Sequence, residues 1–444
     1  MNNSLKRISF KELFTGLGEE FAVSDYKYLN TIKKQSLAFI RENKLPTLKN
    51  EEWQYTDVSK LIDYNIESNK TLDDTKFDNS SNKLPSIISP VCIVFVNGIF
   101  NGILNKDLSK LQNLPDGIVI ESISQAMKDE NEILSSHLND LKKTKDSFTA
   151  LNNLFIENGI FIHIKKNIIL NEPIQIIYIN NTGEDSLSQH PRNIIIMEEG
   201  AKAYLLEEYY GKDSYSTLIN SLTEIKLEEN SELSYYLLQH ENNKTFHIST
   251  VSVQQDRASK FSSQTISFGG DVTRNNIYSD LNKDEAFCSM NGIYIINDKQ
   301  HLDNYTHISH ISPNCTSSQL YHGILTDEGR GVFTGSILVN KDAQKTVSTQ
   351  SNNSLMLSED SRVDTKPQLK IYADDVQCSH AATIGQIDQD SLYYLRARGI
   401  DLDNANKMLT LAFSQKITDL FDNKTIKDKV EKLITKKMKS LKEK

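Results

Sequence analysis

The stretch NIIIMEEGAKAYLLEEYY, residues 193–210, decides the fold, because related segments recur along the following part of the chain. Each segment has an acidic or amide residue, a small or charged turn, and then a strand of alternating pattern. The later copies are EENSELSYYLL (228–238), DRASKFSSQ (256–264), KDEAFCSMNGIYI (283–295), DEGRGVFTGSILV (327–339) and SEDSRVDTKPQLKIY (358–372). Recurrence of one strand-forming unit predicts a β-solenoid, in which stacked coils share one buried core.

The spacing of the segments supports this interpretation. Steps of 30, 28, 26, 45 and 31 residues separate six proposed strand starts: Ala203, Leu233, Phe261, Phe287, Val332 and Val363. We interpret the long step as the position of an inserted loop. A β-sandwich or barrel is the alternative, but residues 159–385 contain few hairpin signals, so the pattern favours a solenoid and a mainly β fold.

Helical patterns flank this β-rich part on both sides. Residues 1–157 are predicted to form a helical region with one hairpin, which the Asn97-Gly98 turn of VCIVFVNGIFNGILN (91–105) indicates. Residues 158–385 are the predicted solenoid, and residues 386–444 return to helix. Because a parallel solenoid leaves open ends, we expect the flanking helices to cover them.

Composition excludes several classes of protein. The 444 residues are 38% hydrophobic and 25% charged, and no apolar run is long enough for a membrane span. The start, MNNSLKRISFKELF, lacks the apolar region of a secretory signal, so we expect a cytoplasmic protein. The net charge of −9 argues against nucleic acid as a partner. Residues 424–444 nevertheless carry nine Lys against three acidic residues, which fits either a solvated helix or a docking surface for an acidic partner.

Signatures of catalysis and of resident metal are missing from the sequence. It has no P-loop, no dinucleotide-binding glycine motif, no nucleophile elbow and no H-E-x-x-H. The four cysteines never form C-x-x-C, which argues against a disulfide framework or a self-ligated cluster. The densest set of potential ligands fits no metal motif and favours structural roles: His301, His307, His310, Cys315 and His322.

The sharpest local feature is IYADDVQCSHAATIGQ, residues 371–386. If residues 371–380 form one strand, then Asp374, Val376, Cys378 and His380 share a face. A thiol and an imidazole two residues apart can contact the same metal or sulfide, but two ligands do not complete a tetrahedral site. A second chain would have to supply the rest. A buried cysteine with a histidine at the edge of the core is the structural alternative.

Trp53 and Tyr55 lie beside charged residues in NEEWQYTDVSKL, residues 50–61. Packing of the helical region onto the solenoid is the favoured interpretation of this aromatic pair, over cofactor stacking.

Three segments resemble the SufB/SufD family of iron–sulfur cluster assembly proteins. IYADDVQCSHAATIGQIDQDSLYYLRARGI (371–400) is similar to the C-terminal signature of its SufD branch, and NEEWQYT (50–56) to its N-terminal aromatic motif. SPNCTSSQLYHGILTDEGRGVFTGSILV (312–339) resembles the core that SufB and SufD share. The family commonly has glycine after Cys-Ser-His, where this chain has Ala381.

The resemblance implies a right-handed parallel β-helix between N- and C-terminal helical regions. It implies a heterodimer with a SufB paralogue, and docking of the C-terminal helices onto SufC, an ABC-type ATPase; a homodimer is an option for the chain alone. Cys378 and His380 match the family's Cys-x-His at the subunit interface, where the histidine takes part in assembling the nascent cluster. The resemblance implies no stably bound cofactor, only a transient iron–sulfur cluster and, within the complex, reduced flavin.

The sequence thus predicts a non-catalytic scaffold subunit for iron–sulfur cluster assembly. Two alternatives stay open, a β-helix enzyme acting on carbohydrate and a metal-free solenoid adaptor. The enzyme would require clustered carboxylates or arginines along an outward strand face.

Overall fold

The structure is a computed structural model that describes residues 7–67, 85–104, 116–129, 131–139, 146–180, 186–211 and 215–441. It is mainly β, with a solenoid of about seven turns and helices toward both termini, which confirms the predicted fold class. In the described ranges no helix is both long and apolar enough to span a membrane.

Short strands and helices precede the solenoid, and helices follow it. The described α-helices are α1 (Phe10–Phe14), α2 (Lys27–Asn43), α3 (Ile123–Lys128), α4 (Glu132–Asn139), α5 (Ser147–Asn153), α6 (Gln389–Ala397), α7 (Leu402–Thr418) and α8 (Lys424–Ser440). Three 3-10 helices lie at Glu19–Ala22, Glu51–Trp53 and Ser59–Asp63.

The strands fall into an early, irregular group and a late, regular one. The early strands are β1 (Arg7–Ser9), β2 (Asn65–Glu67), β3 (Val91–Val96), β4 (Ile99–Leu104), β5 (Ile118–Ser122), β6 (Gly159–Ile164), β7 (Ile174–Asn180), β8 (Leu187–Gln189) and β9 (Arg192–Met197). The late strands are β10 (Lys202–Gly211), β11 (Thr217–Leu227), β12 (Glu232–His240), β13 (Thr245–Gln255), β14 (Lys260–Ser267), β15 (Val272–Leu281), β16 (Phe287–Ile296), β17 (His301–His310), β18 (Thr316–Leu325), β19 (Arg330–Val339), β20 (Thr346–Met356), β21 (Arg362–Ile371) and β22 (Val376–Gly385).

Successive late strands alternate between two sheets. Sheet A takes the odd-numbered strands from β11 to β21, and sheet B takes the even-numbered strands from β10 to β22, all in parallel pairs. Side chains that point between the sheets fill a core of aliphatic and aromatic residues. The alternating apolar pattern of each segment arises because only one face of each strand meets this core.

The register corrects the predicted equivalences. Ala203, Leu233 and Phe261 do occupy one column of sheet B, but Phe287 is one residue out of step and Val332 and Val363 belong to sheet A. The column runs on through residues 288, 317, 348 and 378, in steps of 27 to 31 residues. The predicted loop insertion is therefore wrong. The apparent gap arose because the strand at residues 316–325 was overlooked.

Antiparallel strands and the N-terminal region close the first end of the solenoid. The hairpin of β3 and β4 extends sheet B, as Asn97-Gly98 predicted, and β5 pairs antiparallel with β6. Both turn residues have positive φ, 51° at Asn97 and 79° at Gly98, which fits the tight hairpin. Helices α3 and α4 bury apolar residues against β6 and β9.

The C-terminal helix α8 lies on the outer face of sheet B. Its apolar side, which includes Ile426, Val430 and Ile434, is buried against residues of β10, β12, β14 and β16. The Lys429 ammonium donates to the buried carboxylate of Glu208, and the Lys437 ammonium donates to Asn297 Oδ1 at 2.6 Å. Part of the basic charge at this terminus therefore serves internal contacts.

Candidate functional site

The last coil of the solenoid, formed by β21 and β22, is uncovered in the part of the chain that the structure describes. Sheet A ends at β21 and sheet B ends at β22, so each strand has a single neighbour. In β20, alternate side chains are buried, whereas every residue of β22 is exposed or half-buried. This end thus differs from an ordinary protein surface, because strands with unsatisfied backbone groups lie open there.

Cys378 and His380 both lie in β22 and belong to the row of side chains that continues the interior face. Their register partners in β20 are Ser348 and Gln350, and both of these side chains are buried. Residues two apart in a strand lie about 7 Å apart along it and point to the same side. The structure therefore brings the predicted thiol and imidazole together at the open end of the core.

The predicted strand over residues 371–380 is wrong in its first half. β21 ends at Ile371 and β22 begins at Val376, and Asp374 lies exposed in the corner between them. A backbone hydrogen bond stabilises this corner, in which Lys345 N donates to Asp375 O at 2.6 Å. Two consecutive Asp residues disfavour strand and suit a turn, so Asp374 does not join the row.

The two candidate ligands have different surroundings. Cys378 is half-buried and packs against the cluster of Ile337, Val339, Ala343 and Ala373, whereas His380 is exposed. Burial raises the pKa of the Cys378 thiol, and a hydrogen bond with the Ser348 backbone opposes that rise. Cys378 is therefore a thiol at neutral pH and must lose its proton to bind a metal.

Ala381, the departure from the family pattern, is accommodated without strain. It lies inside the regular pairing of β22 with β20, opposite Ser351, where any L-residue adopts the extended backbone.

The histidines of residues 301–322 are dispersed and make separate contacts. His301 Nε2 lies 2.9 Å from Thr56 Oγ1, and His310 Nε2 lies 2.8 Å from Ser317 Oγ inside the core. His322 stacks on Phe413 of α7. Among the described residues, no three or more His, Cys, Asp or Glu side chains are grouped so that they could hold a metal ion.

Trp53 packs the N-terminal region onto sheet A, as expected. The Arg274 guanidinium lies 4.1 Å from the centre of the Trp53 ring and pairs with the buried carboxylate of Asp303. Thr56 Oγ1 donates to the same carboxylate at 2.6 Å. Nothing in the sequence marked Arg274 and Asp303, because their roles depend on a segment more than 200 residues away.

The hairpin of α6 and α7 presents apolar side chains that sequence reasoning did not single out. Tyr393 and Tyr394 of α6 are 76% and 56% exposed, and Leu402 and Met408 of α7 are also exposed. No residue of α6 is buried. Several large apolar side chains exposed on one helical hairpin are typical of an interaction surface.

Comparison with known proteins identifies related sequences over almost the whole chain. The model of the SUF system FeS cluster assembly SufBD core domain matches residues 178–413, and the model of the SufBD protein N-terminal region matches residues 5–176.

Three relatives illustrate the similarity. The iron–sulfur cluster assembly SufBD family protein slr0076 of Synechocystis is 29% identical over 85% of this chain and 84% of its own length. The iron–sulfur cluster assembly protein SufD of Escherichia coli is 28% identical over 89% of this chain and 90% of its own. The chloroplastic protein ABCI7 of Arabidopsis thaliana is 28% identical over 90% and 84%.

Proposed function

The chain belongs to the SufB/SufD family of iron–sulfur cluster assembly proteins, and from this membership we propose that it is a SufD-type, non-catalytic scaffold subunit. It works in the cytoplasm and pairs with a SufB paralogue. Its own part in assembly is to present His380, with Cys378, to iron and sulfide that a second subunit also holds. The cluster is cargo here, built and then handed on.

One observation carries this proposal: the open edge at β22 holds the candidate ligands and lacks the usual protection against pairing. The neighbouring edge strand, β21, contains Pro367 together with Lys366 and Lys370, and such residues discourage strand addition. β22, with the sequence VQCSHAATIG, has neither proline nor a Lys, Arg, Asp or Glu side chain. An edge of this kind suits addition of a strand from a partner.

The incomplete ligand set explains why a partner is needed. A thiol and an imidazole supply two ligands, whereas a whole iron–sulfur cluster is commonly held by four protein ligands. The missing ligands would come from the SufB paralogue, across the interface at β22. A site divided between two chains can also be taken apart by moving the chains, which favours release of the finished cluster.

A second partner fits the C-terminal hairpin. The exposed tyrosines of α6 and the apolar residues of α7 form the surface where a SufC-type ATPase docks. ATP-driven closure of two SufC subunits would then move this subunit against SufB and change the geometry at β22. Binding of reduced flavin by the assembled complex stays a prediction.

The test is to produce the chain with its SufB and SufC partners under anaerobic conditions and to measure iron and sulfide in the purified complex. His380→Ala should lower both strongly while the three subunits still purify together. The matched control is Gln377→Ala, which removes an exposed side chain from the opposite face of the same strand. Undiminished iron and sulfide in His380→Ala would remove the site, and failure to assemble with a SufB would remove the scaffold role.

A further inference from the structure

His322 lies at the boundary between the C-terminal helices and the last strands of sheet B. Its side chain is on the outer face of β18, where α7 packs over it, and only 2% of the residue is exposed. The register partner of His322 in the next strand, β20, is Asn353, and the partner of Asn353 in β22 is Thr383. Position 322 is therefore two strands from the open edge.

The imidazole of His322 joins α7 to β20 by two hydrogen bonds. Its Nδ1 lies 3.0 Å from the carbonyl oxygen of Phe413 in α7, and its ring stacks on the Phe413 ring with 4.2 Å between the centroids. Its Nε2 lies 3.2 Å from Nδ2 of Asn353, and this amide also donates to Ser351 Oγ in its own strand at 3.3 Å. Each ring nitrogen thus has a partner, one on α7 and one on β20.

The two partners fix the form of the ring. A carbonyl oxygen can only accept a hydrogen bond, so Nδ1 of His322 carries the hydrogen. An amide nitrogen donates, so Nε2 keeps its lone pair for Asn353. Burial lowers the pKa of His322 to about 4, so the ring is neutral at physiological pH. His322 is therefore held as the Nδ1–H tautomer.

Other hydrogen bonds of the C-terminal region reach earlier strands of sheet B. The Asp422 carboxylate, between α7 and α8, accepts from Ser234 of β12, and Lys429 of α8 donates to Glu208 of β10. Both strands are several positions away from the open edge. The bond between α7 and His322 therefore ties the hairpin of α6 and α7 to the strands next to that edge.

We propose that His322 couples the hairpin of α6 and α7 to the edge strand β22. A partner that moves α7 moves the ring through Phe413, and the ring moves Asn353 and with it β20, on which β22 pairs. His322 is a positioning residue, because it acts on the site through β20 and contacts neither iron nor sulfide. The inference rests on the proposed function, which places an ATPase on the hairpin and the candidate ligands on β22.

The first measurement is the tautomer of His322 in the isolated chain, by nitrogen-15 NMR of labelled histidine at neutral pH. His322→Asn identifies the signal by its loss. The wild-type ring should carry its hydrogen on Nδ1. A hydrogen on Nε2 would show that Asn353 does not donate to the ring, and it would overturn the inference.

The second measurement is amide hydrogen exchange in β22 when a SufC-type ATPase is added to the chain. In the wild type, the ATPase should change the exchange rates of β22 about fivefold, the size expected for one hydrogen bond. Asn353→Ala removes the donor on β20 and leaves the hairpin as it is. This variant should bind the ATPase as tightly as the wild type, but its β22 exchange should change by less than about twofold.

Two further variants separate the coupling from a general loss of structure. Thr349→Ala removes an exposed side chain from the same face of β20, away from His322, and should respond as the wild type does. His322→Asn keeps a donor for Phe413 but loses the acceptor for Asn353, so it should respond as Asn353→Ala does. The double variant should add nothing to either single variant, because both remove the same bond.

The outcomes distinguish this inference from the proposed function. An ATPase that binds and changes β22 equally in the wild type and in Asn353→Ala would overturn the coupling through His322 and assign it to residues 386–388, which join β22 to α6. An ATPase that binds without changing β22 in the wild type would also overturn the coupling, but not the docking. Absence of binding to the wild type would refute the docking in the proposed function, and the coupling with it.

Discussion

The two ends of the solenoid are built in opposite ways. At the first end the hairpin of β3 and β4, strand β5 and helices α3 and α4 cover the core, and apolar side chains are buried there. At the last end β21 and β22 have no further strand in the described part of the chain, and Ile371 and Ile384 are 38% and 43% exposed. The described chain thus covers one end of the solenoid and leaves the other uncovered, as the proposed pairing with another chain requires.

The largest expected difference between the ends is in their contribution to stability. Phe95 of the hairpin strand β3 is fully buried, and its ring lies 4.7 Å from that of Tyr178 and 5.6 Å from that of Phe100. Phe95→Ala should lower the free energy of unfolding by about 3–5 kcal/mol. Ile384→Ala at the open end should cost at most about 1 kcal/mol in the isolated chain. Denaturant unfolding of both variants checks this, and equal losses would contradict the contrast.

Proline placed in β22 should separate stability from partner binding. Successive N–H groups of a strand point to opposite neighbours, so of residues 381 and 382 one faces β20 and the other faces outward. The variant whose replaced N–H group faces β20, either Ala381→Pro or Ala382→Pro, should lose stability. The other should keep its stability but bind a SufB paralogue at least about tenfold more weakly, a loss of about 1.4 kcal/mol. Affinity and unfolding are measured together, and full binding by both variants would rule out strand addition at β22.

The closed end should also respond to acid. His190 is fully buried against Phe155, and burial lowers its pKa to about 3 from an ordinary 6.5. Between pH 6.5 and 3 the unfolded chain binds a proton at His190 and the folded chain does not. The contribution of His190 to the free energy of unfolding is therefore fully present above pH 6.5 and is lost as the pH falls toward 3. His190→Gln should flatten the pH dependence of the unfolding free energy by up to about 1.4 kcal/mol per pH unit. A slope unchanged between pH 6 and 4 would show that His190 does not titrate this way.

The smallest effect is expected where the N-terminal region reaches the open end. Glu51 Oε1 accepts from Lys366 Nζ of β21 at 2.9 Å, and 75% of the Glu51 side chain is exposed. Glu51→Gln should lower stability only slightly, and by less still in high salt, because solvent screens this exposed ion pair. Thermal unfolding at two salt concentrations measures this. A larger, salt-independent loss would mean that the last coil depends on this contact.

The fold was predictable to the extent that it depends on local patterns. Strand periodicity and the Asn97-Gly98 turn gave the architecture and the hairpin, because each is encoded within a few residues. The strand at residues 316–325 was overlooked because SSQLYH has a weak apolar alternation, its interior positions being Ser317, Gln319 and Tyr321.

The candidate site was predictable only in part. Cys378 and His380 follow from strand alternation, but Asp374 was misplaced because the turn signal of Asp374-Asp375, between the last strands of the two sheets, was not taken into account. The buried partners of the two candidate ligands, Ser348 and Gln350, could not be predicted, because they depend on the register between coils about 30 residues apart. The exposure of α6 likewise depends on tertiary packing and could not be read from its modest amphipathic pattern.

The contact between Trp53 and Arg274 has a practical consequence for experiments on this protein. Trp53 is the sole tryptophan of the sequence, so its fluorescence arises from one known place, where the N-terminal segment lies across β15 and β17. The same segment contacts Lys366 of β21 through Glu51. A change of Trp53 emission when a partner is added would therefore report a movement of the last coil, where the proposed interface lies. Trp53 is therefore an intrinsic fluorescent probe, and such an experiment needs no added label.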